Sequence, residues 1–600
     1  MKKSYIKTIL ACSFVMSLAA CADTWGEHYQ VNPELNGEDN LWELISSDPE
    51  LSDFAALLQA TGYDSILAQN RNYTVWAPAD ISEAFDISSL ADADESMLAI
   101  YRKEIVENHI ADYSHVAGGV RDKNDKKKYK KVKVLNGKSY DFEGSVGSVY
   151  TFASQKLSSS NKAASNGVLH KMEKCVLFAS NIWEQLAKEP AVSDLYKFLV
   201  KDYDTIFNEN ASVKGPIVDG KQTYLDSVFD YKCRWFNEIG QINKEDSSYT
   251  MYALTNSAWN EMYDMVRGYY NYPNVSTKDE VAGGMPLNEA ADSLVKDMLV
   301  RNLVFSNSVN KKFYEGLRDT LISTTWKMFV DDEAHALNNG CEKTVTMSNG
   351  TLNIVNQVNY NPFTCWLDTI RVQGESLSSA NNFDRGEGTD ARFANATVTS
   401  YGYVHGEPLY NKLSGNKVGI FTPTDYKSEG SQPVLRFYVE GLMSAYYRIS
   451  IVLLPPHLVD PEDNVFVKPN KFKAKLETND GKNGYAYKLL ASGVVSDPTK
   501  VDTIVLADRY KIEYCEANYE KLSGLKPKAR LVIETDIKFG GEGRNTDNIT
   551  TYYLKDENGK NIKDENGKNI TVEVKPEERP KYWKYDNSYR IDQVIFEPVE

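Results

Sequence analysis

Apolar positions along the chain follow one regime up to about Tyr360 and another after it. Leu41, Leu44 and Ile45, then Leu51, Phe54, Leu57 and Leu58, recur at helical spacing, and Gly62 supplies a stop signal behind them. The stretch Asn72–Phe85, NYTVWAPADISEAF, then reads as a short strand of β-branched and aromatic residues, a turn, and a helix start. A helix over Glu104–Ile110 follows. The alternating run after Ser165-Asn166-Gly167 predicts a tight turn into a strand, because glycine tolerates φ > 0.

The same succession then returns. Val192-Ser193-Asp194-Leu195 opens an amphipathic helix as Leu51-Ser52-Asp53-Phe54 does. Ser248–Trp259, SYTMYALTNSAW, answers the strand-turn-helix stretch, with Thr250 for Thr74 and Ala253-Leu254-Thr255-Asn256 for Ala77-Pro78-Ala79-Asp80. Arg301-Asn302-Leu303-Val304 matches Glu107-Asn108-His109-Ile110, and Ser348-Asn349-Gly350-Thr351-Leu352 matches Ser165–Leu169. Four landmarks in one order, twice, predict a duplicated domain. Asp80 and Asn256 suit the turn or N-cap, since their side chains accept from orphan N–H groups. The first copy has two extra residues, Ile81 and Ser82. The second has two longer insertions: one carries Gly215–Gly220, read as a turn pair, and a strand at Tyr224–Val228; the other is a loop over Tyr270–Pro286. Long insertions suit recognition, and equally drift in a tolerant loop.

From Asn361 helical patterns give way to short β runs at Val434–Val439, Tyr446–Leu453, Phe472–Leu476, Thr503–Leu506, Leu531–Ile537, Tyr552–Leu554 and Ile591–Phe596, which predict a β-sandwich or jelly roll. The octamer KDENGKNI occurs twice in tandem, at Lys555–Ile562 and Lys563–Ile570. Each copy holds an Asn-Gly turn that lengthens a polar hairpin without disturbing a core.

Both copies of the repeat resemble fasciclin-type domains, through a Tyr-Thr-(apolar)₂-Ala-Pro-Thr-Asn-x-Ala-Phe/Trp segment and an Asn-Gly strand near the end. The positions that carry the resemblance are Thr74, Ala77, Pro78, Asp80, Asn166 and Gly167 in the first copy, and Thr250, Thr255, Asn256, Asn349 and Gly350 in the second. Copy one departs from the pattern with Ala79-Asp80, copy two with Leu254 in place of proline, and the family's Tyr-His pair is reduced to Asn108-His109. The expected fold class is α+β: fasciclin-like α/β wedges over 40–180 and 190–360, then an all-β, jelly-roll-like sandwich over 361–600. The resemblance implies cell-surface adhesion through protein or glycan partners, with no catalytic residues to transfer.

Composition narrows the reading further. A net charge of −16 argues against general nucleic-acid binding, which needs clustered Lys and Arg, while 42% hydrophobic and 12% aromatic residues allow real cores. Lys2, Lys3 and Lys7, a short apolar run and Leu18-Ala19-Ala20-Cys21 read as a lipoprotein signal peptide over 1–20, with Cys21 acylated and residues 21–39 a tether. The expected location is the cell envelope, anchored by lipid at the outer membrane. Five further cysteines show no CxxC spacing.

No HExxH, GxSxG, P-loop or GxGxxG motif is present, so no enzyme and no cofactor is expected. Asp384–Asp390 and Asn479–Asn483 place oxygen ligands near glycines, as loops holding a structural Ca²⁺ do, without EF-hand spacing. The basic run Arg121–Lys133 suits an acidic glycan, a lipid headgroup or a solvated hairpin tip. Among the tyrosines of the β region, Tyr582-Trp583, flanked by lysines, is the pair expected to face solvent and stack on a sugar. Two functions follow: an adhesion or scaffold lipoprotein, or a glycan-capturing component of an outer-membrane uptake system that binds sugar on its sandwich.

Overall fold

The computed structural model describes residues 37–119, 130–144, 149–210, 212–218, 220–226, 229–374, 396–402, 417–423, 432–458 and 467–600. Cys21, most of the basic run and the Asp384–Asp390 loop lie outside the described residues. The chain divides into two compact units: one runs up to Asn256 and adds Val304–Leu317 and Cys341–Val355, the other holds Ser257–Leu303, Arg318–Gly340 and Asn356–Glu600.

In the first unit, Tyr73–Asp80 lies between Ile110–Asp112, which runs antiparallel to it, and Gly167–Lys174, which runs parallel; Gln155–Ala164 flanks the latter. Tyr249–Leu254 sits in the same surroundings, between antiparallel Val304–Ser306 and parallel Gly350–Val355, with Cys341–Met347 outside. Order and sense of four strands therefore repeat. The first sheet continues through Thr151–Phe152, Ser139–Glu143 and Lys130–Lys133 to seven strands. Phe54, Leu57 and Leu58 pack with Ile66, Leu67, Val75 and Leu169 into one core, as the helical spacing requires.

Each repeat opens on a capped helix. Asn40 and Glu43 form a capping box on Leu41–Ser46, and Asn181 and Glu184 form the same box on Ile182–Lys188. Asn40-Leu41-Trp42-Glu43 and Asn181-Ile182-Trp183-Glu184 are thus a further pair of matching landmarks. The second fold begins at Asn181, ahead of the expected 190.

The copies differ after the signature strand. Asp80 Oδ1 accepts from the N–H and hydroxyl of Ser82, closing a turn inside the inserted pair, and a 3₁₀ helix, Ile87–Asp92, stands where the α-helix is expected. The helix expected there forms in the second copy, as Asn256–Arg267. Asn256 is not its N-cap; its Oδ1 accepts from the Asp194 N–H at the start of Ser193–Leu199, 3.0 Å away. Gly215–Val218, expected within a turn pair, belongs to a strand, Val213–Val218, paired with Lys221–Asp226, and Gly220 (φ 74°) makes the turn between them.

In the second unit two antiparallel sheets form a sandwich. One has six strands, centred on Tyr589–Val599; the other has four, in the order Val434–Tyr438, Arg530–Thr535, Lys471–Asn479, Tyr485–Val495. Phe421 meets Phe437 and Phe472 meets Tyr589 between them, and the Tyr589 hydroxyl lies 2.9 Å from Thr535 Oγ1. Tyr485–Val495 escapes sequence reading because this edge strand is exposed at most positions and lacks alternation. The Tyr270–Pro286 insertion is a strut against the sandwich. Buried Tyr272 donates to Ala517 O (2.6 Å), Asn271 O accepts from Cys515 N (2.7 Å), and the Lys278 N–H donates to Leu522 O (2.8 Å).

The two octamers form identical lobes, in which Asp556 and Asp564 each accept from two backbone N–H groups of their own loop. At their base three hydrogen bonds close a ring: Ile562 N to Leu554 O, Ile570 N to Ile562 O, and Leu554 N to Ile570 O.

Candidate functional site

The Asn-Gly pairs fasten each repeat. Asn166 Oδ1 accepts from Leu41 N (2.8 Å), and its Nδ2 donates to Leu67 O and Gln69 O (2.7 and 2.6 Å). Asn349 Oδ1 accepts from Ile182 N (2.9 Å), and its Nδ2 donates to Ile242 O and Lys244 O (2.7 and 2.9 Å). The following glycines have φ of 152° and 143°; a Cβ would fall 2.0 Å from Tyr73 O at Gly167 and 1.8 Å from Tyr249 O at Gly350. Thr74 Oγ1 donates to Tyr113 O and accepts from His115 N, and Thr250 Oγ1 donates to Asn307 Oδ1. Ala77 and Pro78 lie in the parallel ladder, opposite Lys171 and Met172. The Thr255 N–H donates to Val355 O, 2.9 Å away, continuing the second ladder past its last strand residue. Apart from exposed Asp80, the signature residues hold each wedge together through these contacts.

At the junction of the repeats a charge network forms around Lys138. Lys138, in the hairpin turn after Lys130–Lys133, is only 2% exposed; its Nζ lies 2.9 Å from Glu184 Oε2, 2.6 Å from Glu245 Oε1 and 3.0 Å from Ser348 Oγ. Lys103 reaches Glu184 Oε1 at 2.6 Å, and Lys188 reaches Glu104 at 2.5 Å. All three ammonium groups stand over the Phe178 ring, in the segment joining the repeats. Burial alone would raise the Glu184 pKa, but the attraction and hydrogen bonds of Lys103 and Lys138 outweigh it and hold the carboxylate below its usual range. Beside the network a cleft of about 490 Å³ opens between the Glu95–Tyr101 helix with Lys103 and Glu104 on one side, and Trp183, Tyr196, Tyr203 and Asn243 on the other.

On the sandwich, strand register sets Tyr438, Arg530, Glu477 and Tyr487 in one row across four strands. Arg530 pairs with Glu477, donates to the Tyr438 hydroxyl (3.2 Å) and lies under the Tyr485 ring (4.4 Å). Tyr487 at the edge is 62% exposed.

The expected Tyr582-Trp583 platform is not formed as a pair. Trp583 is buried, edge-on to Phe539, with its indole N–H donating to Ile549 O (3.2 Å); Tyr582 stays exposed and stacks on Tyr552 at 5.9 Å. Alternation along an irregular segment cannot separate two neighbours this way; a buried carbonyl in need of a donor does. In the Asn479–Asn483 loop the oxygens serve the protein itself: Asp480 Oδ1 accepts from Lys482 N and Gly484 N, Asn479 Oδ1 from Gly481 N, and Asn483 Oδ1 from the Tyr519 hydroxyl. Among the described residues no three His, Cys, Asp or Glu side chains converge to hold a metal, and Cys175, Cys233, Cys341, Cys365 and Cys515 are free thiols. No helix among them is long and apolar enough to cross a membrane.

Residues 49–178 match the Fasciclin domain family. No curated protein matches the chain. Similar solved structures include a FAS1 domain pair from the insect cell adhesion molecule fasciclin I (13% identity, TM-score 0.20, covering 53% of this chain and 98% of that one). They also include, from Paenibacillus barcinonensis Xyn10C, a CBM22-1–CBM22-2 tandem domain (12%, 0.17, 36% and 44%) and the CBM22-1 xylan-binding domain (12%, 0.17, 39% and 97%). Residues 49–178 thus form a domain of the Fasciclin domain family, with a β-rich region behind it.

Proposed function

We propose that the protein is a non-enzymatic adhesion or scaffold lipoprotein, moored through Cys21 to the outer membrane and holding an extracellular protein or glycan. The observation that carries this reading is the Lys138 junction, where a buried ammonium shared by two carboxylates ties the repeats into one presenting surface. Fasciclin domains are adhesion modules, and the insect relative is a cell adhesion molecule. Cells producing the wild-type chain should take up an alkyne-palmitate label and adhere to immobilised matrix proteins or glycans. Cys21→Ser should lose the label and the adhesion together. An unlabelled wild type, or turnover of a glycoside by the purified chain, defeats the reading.

A second reading, capture of glycans by the sandwich, is favoured by the Tyr438–Arg530–Glu477–Tyr487 row, which offers aromatic faces beside a fixed charged pair. On a glycan array, Tyr487→Ala should then remove a hit that the wild-type chain gives.

A further inference from the structure

The cleft at the junction is more than a gap between domains. Its floor is aromatic: Trp183 stacks on Tyr203 at 5.3 Å and meets Tyr196 at 5.4 Å, and both tyrosines are half-buried at its wall. Facing them is the Glu95–Tyr101 helix, where Ala99 and half-exposed Ile100 leave room. A volume of about 490 Å³ lies within the roughly 300–1,000 Å³ of small-ligand sites.

Its charges cancel. The ionisable lining groups are Lys103, Glu104, Glu184 and Lys188, and they are already joined as Lys103–Glu184 and Lys188–Glu104. An anion would have to break a pair, and so would a cation; an uncharged ligand breaks none. Ammonium groups supply donors and carboxylates supply acceptors around one rim, as a hydroxyl-rich ligand needs. Finally, the Oδ1 of Asn243, on the cleft wall, is buried and accepts no hydrogen bond from the protein. A buried acceptor without a donor carries an uncompensated desolvation cost, so a ligand hydroxyl placed there would recover stability.

We propose that this cleft is a saccharide subsite, which seats one ring of an uncharged oligosaccharide against Tyr196 and Tyr203 with a hydroxyl donating to Asn243 Oδ1. The inference rests on the surface-adhesion reading and names the class of partner for it.

The test is calorimetric titration of the full chain with cello-, xylo-, manno- and galacto-oligosaccharides, and with an oligogalacturonate as the anionic counterpart. Three variants accompany the wild type: Ala99→Trp, which fills the cleft from an exposed helix position, Tyr203→Ala, and Asn243→Ala. At least one uncharged oligosaccharide should bind, and each variant should weaken it at least 10-fold while the denaturation midpoint of Ala99→Trp stays at the wild-type value. Absence of binding by every uncharged probe, binding that survives Ala99→Trp, or preference for the oligogalacturonate overturns the proposal. Cell adhesion that persists while the cleft proves empty defeats the subsite alone. Loss of adhesion with oligosaccharide binding intact defeats the surface reading alone.

Discussion

Lys138 of the first repeat and Glu184 of the second make a 2.9 Å ion pair that solvent scarcely reaches. Glu184 at the same time accepts from the Asn181 N–H at 2.9 Å, so one carboxylate both starts the second repeat's first helix and binds the first repeat to it. Folding of the second repeat and docking of the two are thereby coupled through a single side chain.

Lys138→Met leaves Glu184 and Glu245 facing one another without their shared cation. Removing one partner of a buried pair costs about 3–5 kcal/mol. Urea denaturation of the full chain should show a loss of that size, and limited proteolysis should cut between Cys175 and Asn181 faster than in the wild type.

Acid should unfold the first repeat. Burial pushes His109 and His170 down to about 4, and the structure explains why the charged form is excluded: each ring already accepts a backbone N–H, from Val176 and Asn161, on one nitrogen. Their folded pKa values lie below the unfolded value of about 6.5, so the unfolded chain binds more protons between those limits. Stability is complete above about 6.5, falls as pH drops towards about 4, and levels below it. Each histidine contributes a loss of roughly 3 kcal/mol across that window. Thermal unfolding monitored from pH 7 to 4 should show the transition of the first repeat moving down, and His170→Gln should flatten the dependence.

Gly350→Ala sets a Cβ 1.8 Å from Tyr249 O on a backbone with φ of 143°. Relief requires the parallel pairing of Tyr249–Leu254 with Gly350–Val355 to open, at a cost of about 3 kcal/mol. Hydrogen exchange should show lost protection across those two strands and intact protection in Tyr73–Asp80.

Deleting Lys563–Ile570 should change little. Ile562 then takes the place of Ile570 opposite Leu554, and the three-membered backbone ring becomes an ordinary hairpin base. The lobes are exposed and touch no core, so a stability change within about 1 kcal/mol is expected. A fall of many degrees in the melting temperature of the sandwich would show that the ring itself supports the sheet.

The duplication, the turn into a strand at each Asn-Gly pair, most strands of the sandwich and the octamer lobes are encoded in the residue pattern. These are local: alternation, capping and tight turns depend on residues a few positions apart, and so they are written in the order of the chain. The start of the second repeat has its own local signal, Asn181-Ile182-Trp183-Glu184 against Asn40-Leu41-Trp42-Glu43. Long-range packing is what buries Lys138 but not its lysine neighbours, turns Trp583 inward and Tyr582 outward, sets Asn256 on another helix and makes the Tyr270–Pro286 insertion a strut. Each depends on a partner far away in sequence, such as Glu245, Ile549, Asp194 or Ala517. Burial and pairing of a polar group are set by what packs against it, which no local pattern encodes.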